Sequence, residues 1–337
     1  MGFVVMASAW AVEIRQPVGE PVFSDAAPLP LPPETAPAAG AVSPVWQPVL
    51  MRLATDGISG ADVDAMFAAL GETASQEPMG RKIRELYTKA FLRTPPDPNA
   101  PPKARLRLYK GVVTPENAQV CKAFLAQNGA YFTRAQQLYG VPPEIAVALL
   151  FVETRLGTSM GKERALYTLA SMAQSTSPDS INEWLPRLPG YEGHLDWMQE
   201  LMPKRADWAY KELRALVVHL RTQGIEASTV PGSIYGAVGM CQFMPSNLVP
   251  YGADGDDDGV VDLFTVPDAV ASLSNYLARH GWKPDISRAA QHAVLKSYNR
   301  VDIYANTIMA LADLIAGRPL PLPTDEPIKK QKARVRP

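Results

Sequence analysis

The chain has 337 residues, enough for one large domain or two modest ones, and its 47% hydrophobic and 20% charged residues fit a globular protein with a sizeable core. A formal net charge of -1 excludes the basic footprint expected of a nucleic-acid-binding protein. Two cysteines, Cys121 and Cys241, are too few for a disulfide framework; each reads as a small buried apolar residue, with one bridge between them as the alternative.

The first apolar run, residues 3–11, ends in Ala9-Trp10-Ala11, an A-x-A pattern with no Lys or Arg before it. It reads either as the end of a signal peptide whose start lies upstream of Met1, or as an unstructured apolar tail. Residues 17–48 are rich in Pro and Ala, with Pro30, Pro32 and Pro33 clustered, and read as an extended linker. Nowhere does the chain reach the roughly 20 consecutive apolar residues that a membrane span needs. No cysteine lies near the N-terminus to accept a lipid anchor.

Helical patterns fill residues 49–92, including 60–70 and 79–92. The five prolines of residues 94–103 break this helical subdomain (49–100) from a core of residues 101–317. Thr114-Pro115-Glu116 is a helix start, and that helix runs to Tyr139 before Gly140. Next comes Val141-Pro-Pro-Glu-Ile-Ala-Val-Ala-Leu-Leu-Phe-Val-Glu153-Thr-Arg-Leu-Gly157. Pro142 and Pro143 suit a helix entrance, and Gly157 suits its stop. Ile145, Ala148, Leu149, Val152 and Leu156 form a core-facing stripe. Glu153 is thus expected in the last turn. Its apolar surroundings and the negative end of the helix dipole both oppose ionisation, which raises the pKa as a general acid requires. The plainer reading is a helix-end glutamate paired on the surface with Arg155 or Arg164.

Residues 174–202 are polar and punctuated by proline, and a helix is expected from Lys204 to about Gln223. The block Gly232-Ser-Ile-Tyr-Gly-Ala-Val-Gly-Met-Cys-Gln-Phe-Met-Pro-Ser246 is glycine-dense, so its backbone can approach a ligand closely. Gln242 offers a donor and an acceptor; the alternative is a structural turn with Gln242 bonded to backbone. Met240, Cys241, Phe243 and Met244 read as packing residues. Asp254-Gly-Asp256-Asp-Asp258-Gly259-Val260 is EF-hand-like: Asp254, Asp256 and Asp258 take the first, third and fifth positions, Gly259 the turn, and the Val260 carbonyl the seventh. Thr265 stands where an EF-hand carries its glutamate, and Asp262 offers a further oxygen. Bunched carboxylates repel without a cation, so a structural calcium site is favoured over a solvated loop. Helices are expected over 268–279 and 301–316, and a flexible tail over 318–337. The class is mainly α, with at most a short β element.

Four blocks now form a pattern. The Glu153 helix with Gly161-Lys-Glu-Arg-Ala-Leu-Tyr-Thr-Leu-Ala170, the 232–246 block, the acidic loop and Tyr298-Asn299 together resemble, in order, the membrane-bound lytic murein transglycosylase B family. The resemblance covers residues 45 to 317, with 174–202 as an insertion. It implies a lysozyme-like helical catalytic core and a peptidoglycan substrate. Glu153 would be the sole catalytic acid, first protonating the oxygen between N-acetylmuramic acid and N-acetylglucosamine. As a base it would then let the muramyl C6 hydroxyl close a 1,6-anhydro ring. The chemistry would need no cofactor. The resemblance places Ser233, Gln242, Tyr298 and Asn299 at the sugar, the pair Lys204 and Arg205 towards the peptide stem, and Asp268 among the calcium ligands. It also implies a periplasmic or cell-envelope location, glycan strands as partner, and a place for wall-complex partners. A hydrolytic muramidase on the same scaffold and a non-catalytic peptidoglycan-binding scaffold are the alternatives.

Overall fold

The chain opens its helices with side-chain and proline signals that are visible in the sequence. Thr114 Oγ1 accepts the Asn117 N–H at 3.2 Å and Pro115 follows it; at the other end Gly140 takes a left-handed conformation. The structure, a computed structural model, describes residues 42–93 and 108–320. The apolar N-terminal run, most of the expected linker, the 94–103 break and most of the C-terminal tail lie outside the described residues.

The described helices are α1 (Gln47–Thr55), α2 (Ala61–Ala68), α3 (Glu77–Tyr87), α4 (Pro115–Tyr139), α5 (Pro143–Thr154), α6 (Ala165–Gln174), α7 (Leu195–Gln223), α8 (Leu248–Tyr251), α9 (Val266–Arg279), α10 (Arg288–Tyr298) and α11 (Asp302–Ile315). Two dipeptides form the described sheet: β1 (Glu163–Arg164) runs antiparallel to β2 (Pro231–Gly232), pairing Glu163 with Gly232. The class is mainly α, as expected.

α5 lies at the centre, packed against α4, α9 and α11, while α6 lies along α7. A stripe was expected on α5, yet every residue from Ile145 to Phe151 is buried. A helix that is apolar all round has neighbours all round. Both cysteines are buried and free, so there is no bridge between them.

Two boundaries differ from expectation. The linker was expected to reach residue 48, but Trp46 is fully buried and its Nε1 donates to the Gly71 carbonyl at 2.8 Å. Folded structure therefore begins before that boundary. The helix expected from Lys204 begins nine residues earlier, at Leu195, and carries Pro203 inside. Residues 174–202 are also less polar in effect than in composition. Ile181, Trp184, Leu188, Met198 and Met202 join Met79, Ile83 and Tyr87 of α3 and Ala206 of α7 in a second apolar cluster, separate from the main core. Finally, α6 and α10 were not anticipated. Only Val294 and Leu295 of α10 are buried, so its apolar stripe is thin.

Candidate active site

α5 stops abruptly just past Glu153. Arg155, Leu156 and Gly157 all take positive φ (53°, 60° and 86°), and the Leu156 N–H closes the end on the Leu150 carbonyl at 3.2 Å. Two consecutive non-glycine residues in this region cost about 1–3 kcal/mol each, a strain that concentrates at functional sites. Thr154, fully buried, donates from Oγ1 to the Met240 carbonyl at 2.7 Å and accepts the Gly157 N–H at 3.0 Å. The helix end and the 232–246 loop are thereby tied together beside Glu153.

Glu153 is 7% exposed, and the buried hydroxyl of Tyr304 in α11 donates to its Oε1 at 2.5 Å. Burial and the carboxylate hold the Tyr304 phenol well above its usual value, so it remains a donor. Tyr109 is also raised, chiefly by desolvation and further by the charge of Glu153. Arg155 and Arg164, the surface partners of the plainer reading, are engaged elsewhere. Arg155 lies 4.8 Å from the Phe151 ring centre, and Arg164 donates to the Ala69 and Leu70 carbonyls.

The 232–246 loop is held at several points. Ser233 Oγ accepts the N–H groups of Tyr235 and Ala237 at 3.3 and 3.0 Å. Val238 and Phe243 pair around the turn between them. Gln242, at φ 51°, donates from Nε2 to the Gly239 and Met160 carbonyls at 3.0 and 3.3 Å. The hydroxyl of Tyr298 donates to the Cys241 carbonyl, and its ring stacks on Tyr304 with centres 6.2 Å apart. Ser246, at the far end, gives both its N–H and its hydroxyl to the buried carboxylate of Glu212 in α7. Gly161 lets the loop approach, because a Cβ there would lie 2.0 Å from the Gly232 carbonyl oxygen.

The remaining expected residues lie as follows. Asn299 is buried at the end of α10, with its backbone bonded to Leu295 and Val301. Lys204 is exposed within α7, and Arg205 beside it is half-buried, with its charge bearing on Lys82 of α3. Tyr304 and Glu212 were missed. A tyrosine in the apolar stripe of α11 (with Ile308, Leu311 and Ile315) raises the question of where its hydroxyl goes, and that was the available signal.

In the acidic loop, Asp254 accepts the N–H groups of residues 256, 257, 258 and 259, which lowers its pKa. Asp268 is buried and accepts the N–H groups of Gly255 and Asp262, each at 2.7 Å. Carboxylate oxygens of Asp254, Asp256 and Asp268 lie within 4.8 Å of one another. Two oxygens that share a calcium ion at about 2.4 Å each are at most about 4.8 Å apart, so the triplet fits one. Desolvation foremost, then the charges of Asp256 and Asp254, push the Asp268 carboxyl up, and a bound cation would relieve that repulsion. Asp258 stands outside the triplet, with Oδ1 accepting the N–H of Val260 at 2.8 Å. Arg134 of α4 pairs with Asp257 at 2.6 Å and fixes the loop tip.

With this geometry in view, a family model described as the transglycosylase SLT domain matches residues 41–291. Membrane-bound lytic murein transglycosylase B of Escherichia coli (strain K12) is 36% identical over 185 residues, 55% of this chain and 44% of that protein, so the match spans less than half of the relative. The E. coli lytic transglycosylase SLT35 in complex with calcium superposes with a TM-score of 0.58 at 21% identity, over 82% of this chain and 95% of that one. SltB3 from Pseudomonas aeruginosa in complex with NAG-anhNAM-pentapeptide gives 0.60 at 20% identity, over 81% and 79%. At these identities the likeness is one of fold, mainly helical and lysozyme-like.

Proposed function

Because the chain belongs to the transglycosylase SLT domain family, we propose that it is a peptidoglycan lytic transglycosylase in which Glu153 serves first as acid and then as base. Glu153 protonates the oxygen between N-acetylmuramic acid and N-acetylglucosamine as that bond breaks. The substrate's acetamido group stabilises the cationic carbon. The ionised Glu153 then takes the proton of the muramyl C6 hydroxyl, which attacks C1 and leaves a 1,6-anhydromuramyl end. No water is consumed, and no cofactor takes part.

The observation that carries this reading is a carboxyl, Glu153, buried at the closing turn of the apolar helix α5 with the Tyr304 hydroxyl donating to it. Ordinary glycosidases use two carboxylates at the bond. The other buried carboxylates among the described residues are committed elsewhere: Glu212 to Ser246, Asp268 to the acidic loop, and Asp313 to Arg288 and Arg318. One acid used twice is the economical chemistry for such a site. The SltB3 structure in complex with NAG-anhNAM-pentapeptide, a ligand that carries an anhydro sugar, is in keeping with this reading. Ser233, Gln242, Tyr298 and Asn299 shape the sugar side of the site, and Lys204 with Arg205 meets the stem carboxylates. Asp254, Asp256 and Asp268, with the Val260 carbonyl adding to the shell, hold a structural calcium ion, as the calcium complex of SLT35 suggests. The substrate puts the enzyme in the cell envelope; no described helix is long and apolar enough to cross a membrane.

The test is mass spectrometry of sacculi digested by the wild type and by Glu153→Gln. The wild type should release muropeptides with anhydro ends, and the variant essentially none. Reducing ends from the wild type would mean hydrolysis, and undiminished release by the variant would remove Glu153 from the mechanism.

A further inference from the structure

α3 shows two faces. Met79, Ile83 and Tyr87 enter the second apolar cluster, where Trp184 sits so close that a Cβ on Gly80 would lie 2.2 Å from its Cγ. Polar bonds lock the same contact. Gln76 bonds the side chain of Asn182 and the N–H of Glu183, and Tyr87 donates to the Pro189 carbonyl at 2.7 Å. The segment before α7 and α3 are therefore one rigid piece.

The other face of that piece carries an unusual residue. Lys82 is 2% exposed, which is rare for lysine. Its Nζ lies 3.8 Å from the ring centre of Tyr235 and 3.3 Å from Glu85 Oε2. The same carboxylate oxygen accepts the Tyr235 hydroxyl at 3.1 Å. Tyr235 belongs to the 232–246 loop, and its N–H is bonded to Ser233 Oγ. Its ring thus receives a cation on the face and its hydroxyl an anion at the tip.

We propose that Lys82, Glu85 and Tyr235 form a pin by which α3 and the 178–206 segment hold the 232–246 loop in its sugar-contacting shape. All three are positioning residues that act through Ser233 and its neighbours. The role rests on the reading above, in which this loop touches the glycan. It gives the inserted segment a purpose: to make the anchor of the pin rigid.

The experiment has two arms, both in the Glu153→Gln chain, which would bind glycan without cutting it. Amide hydrogen exchange reads the loop, and calorimetry with purified glycan strands reads binding. Lys82→Met should speed exchange at residues 233–238 about tenfold while α9 stays unchanged, and weaken glycan binding five- to twentyfold. In the active chain, KM should rise by a similar factor with kcat within twofold. Tyr235→Phe, which keeps the ring over the ammonium and is the milder change, should speed the same amides about threefold. Val63→Ala, a core change in α2, is the control for general loosening. Unchanged loop exchange, or acceleration spread along the chain as in the control, overturns the pin. Failure of the Glu153→Gln parent to bind glycan would instead sink the proposed function, with the exchange arm still reading the pin.

Discussion

Phenylalanine at position 304 would leave Glu153 in the same apolar niche without its hydroxyl donor. The bond from Tyr304 reaches Oε1 directly and is buried, so solvent does not replace it. A hydrogen bond to a charged group is worth about 1.5–3 kcal/mol, and each 1.36 kcal/mol is a factor of ten in rate. Tyr304→Phe should therefore lower kcat roughly ten- to a hundredfold and leave KM nearly unchanged. A donor favours the ionised carboxyl, so its loss should also move the alkaline limb of the pH–rate profile upward. Steady-state kinetics across pH would check both, and an unmoved limb with full kcat would dismiss the contact as incidental. The burial of Glu153 was legible, because a single charge that closes a long apolar helix is buried with it. Tyr304 was not, because its partner is 151 residues away and only the fold brings them together. Tyr298 shows the same limit: its ring was visible in the sequence, but the carbonyl that receives its hydroxyl was not.

Among the elements, those with local signals were legible and those made by long-range packing were not. Helix α4 announced both ends through Thr114-Pro115 and Gly140. The 174–202 stretch hid its apolar residues, because three short 3-10 turns give no helical period to read. The acidic loop was read by spacing, yet the geometry sets Asp254, Asp256 and Asp268 together and leaves Asp258 aside. Calcium at about a hundred times its Kd should stabilise the chain through this loop by about 2.7 kcal/mol. At 2–4 °C per kcal/mol for a domain of this class, Tm should rise by roughly 5–10 °C. Asp256 is the residue to change: it offers its backbone N–H to Asp254, and among the described residues its carboxylate accepts none of the loop's bonds. Asp256→Asn should keep the metal-free Tm and lose most of the calcium-induced rise. Differential scanning calorimetry with calcium and with chelator reads this, and an equal rise in the variant would count against the site.

For the whole molecule, the helical class and the order of the functional blocks could be read ahead because they depend on period and spacing. The joining of α8, α9, α10, α11 and the glycine loop into one aromatic wall could not. Tyr304 stacks on Tyr298, Tyr298 meets Tyr276 at 4.9 Å, and Tyr276 meets Tyr251 at 4.7 Å, with Phe243 of the loop beside them. That wall makes stability depend on alkaline pH in a definite direction. Burial pushes the Tyr276 phenol up to about 12 and those of Tyr298 and Tyr304 well above their usual 10. Each group keeps its proton in the folded chain and loses it near pH 10 when unfolded. The folded state then binds more protons, so stability is complete below pH 10 and falls as pH rises through the folded-state values. For Tyr276 alone the loss approaches roughly 3 kcal/mol once both states are ionised. Phenolate absorbance should therefore rise in two stages. The second, in which Tyr276, Tyr298 and Tyr304 ionise, is a steep step that coincides with loss of helical circular dichroism. Tyr304→Phe removes one of the held protons and should make the alkaline decline shallower. A single smooth titration of all phenols near pH 10, with helicity intact, would show that the wall is open to solvent.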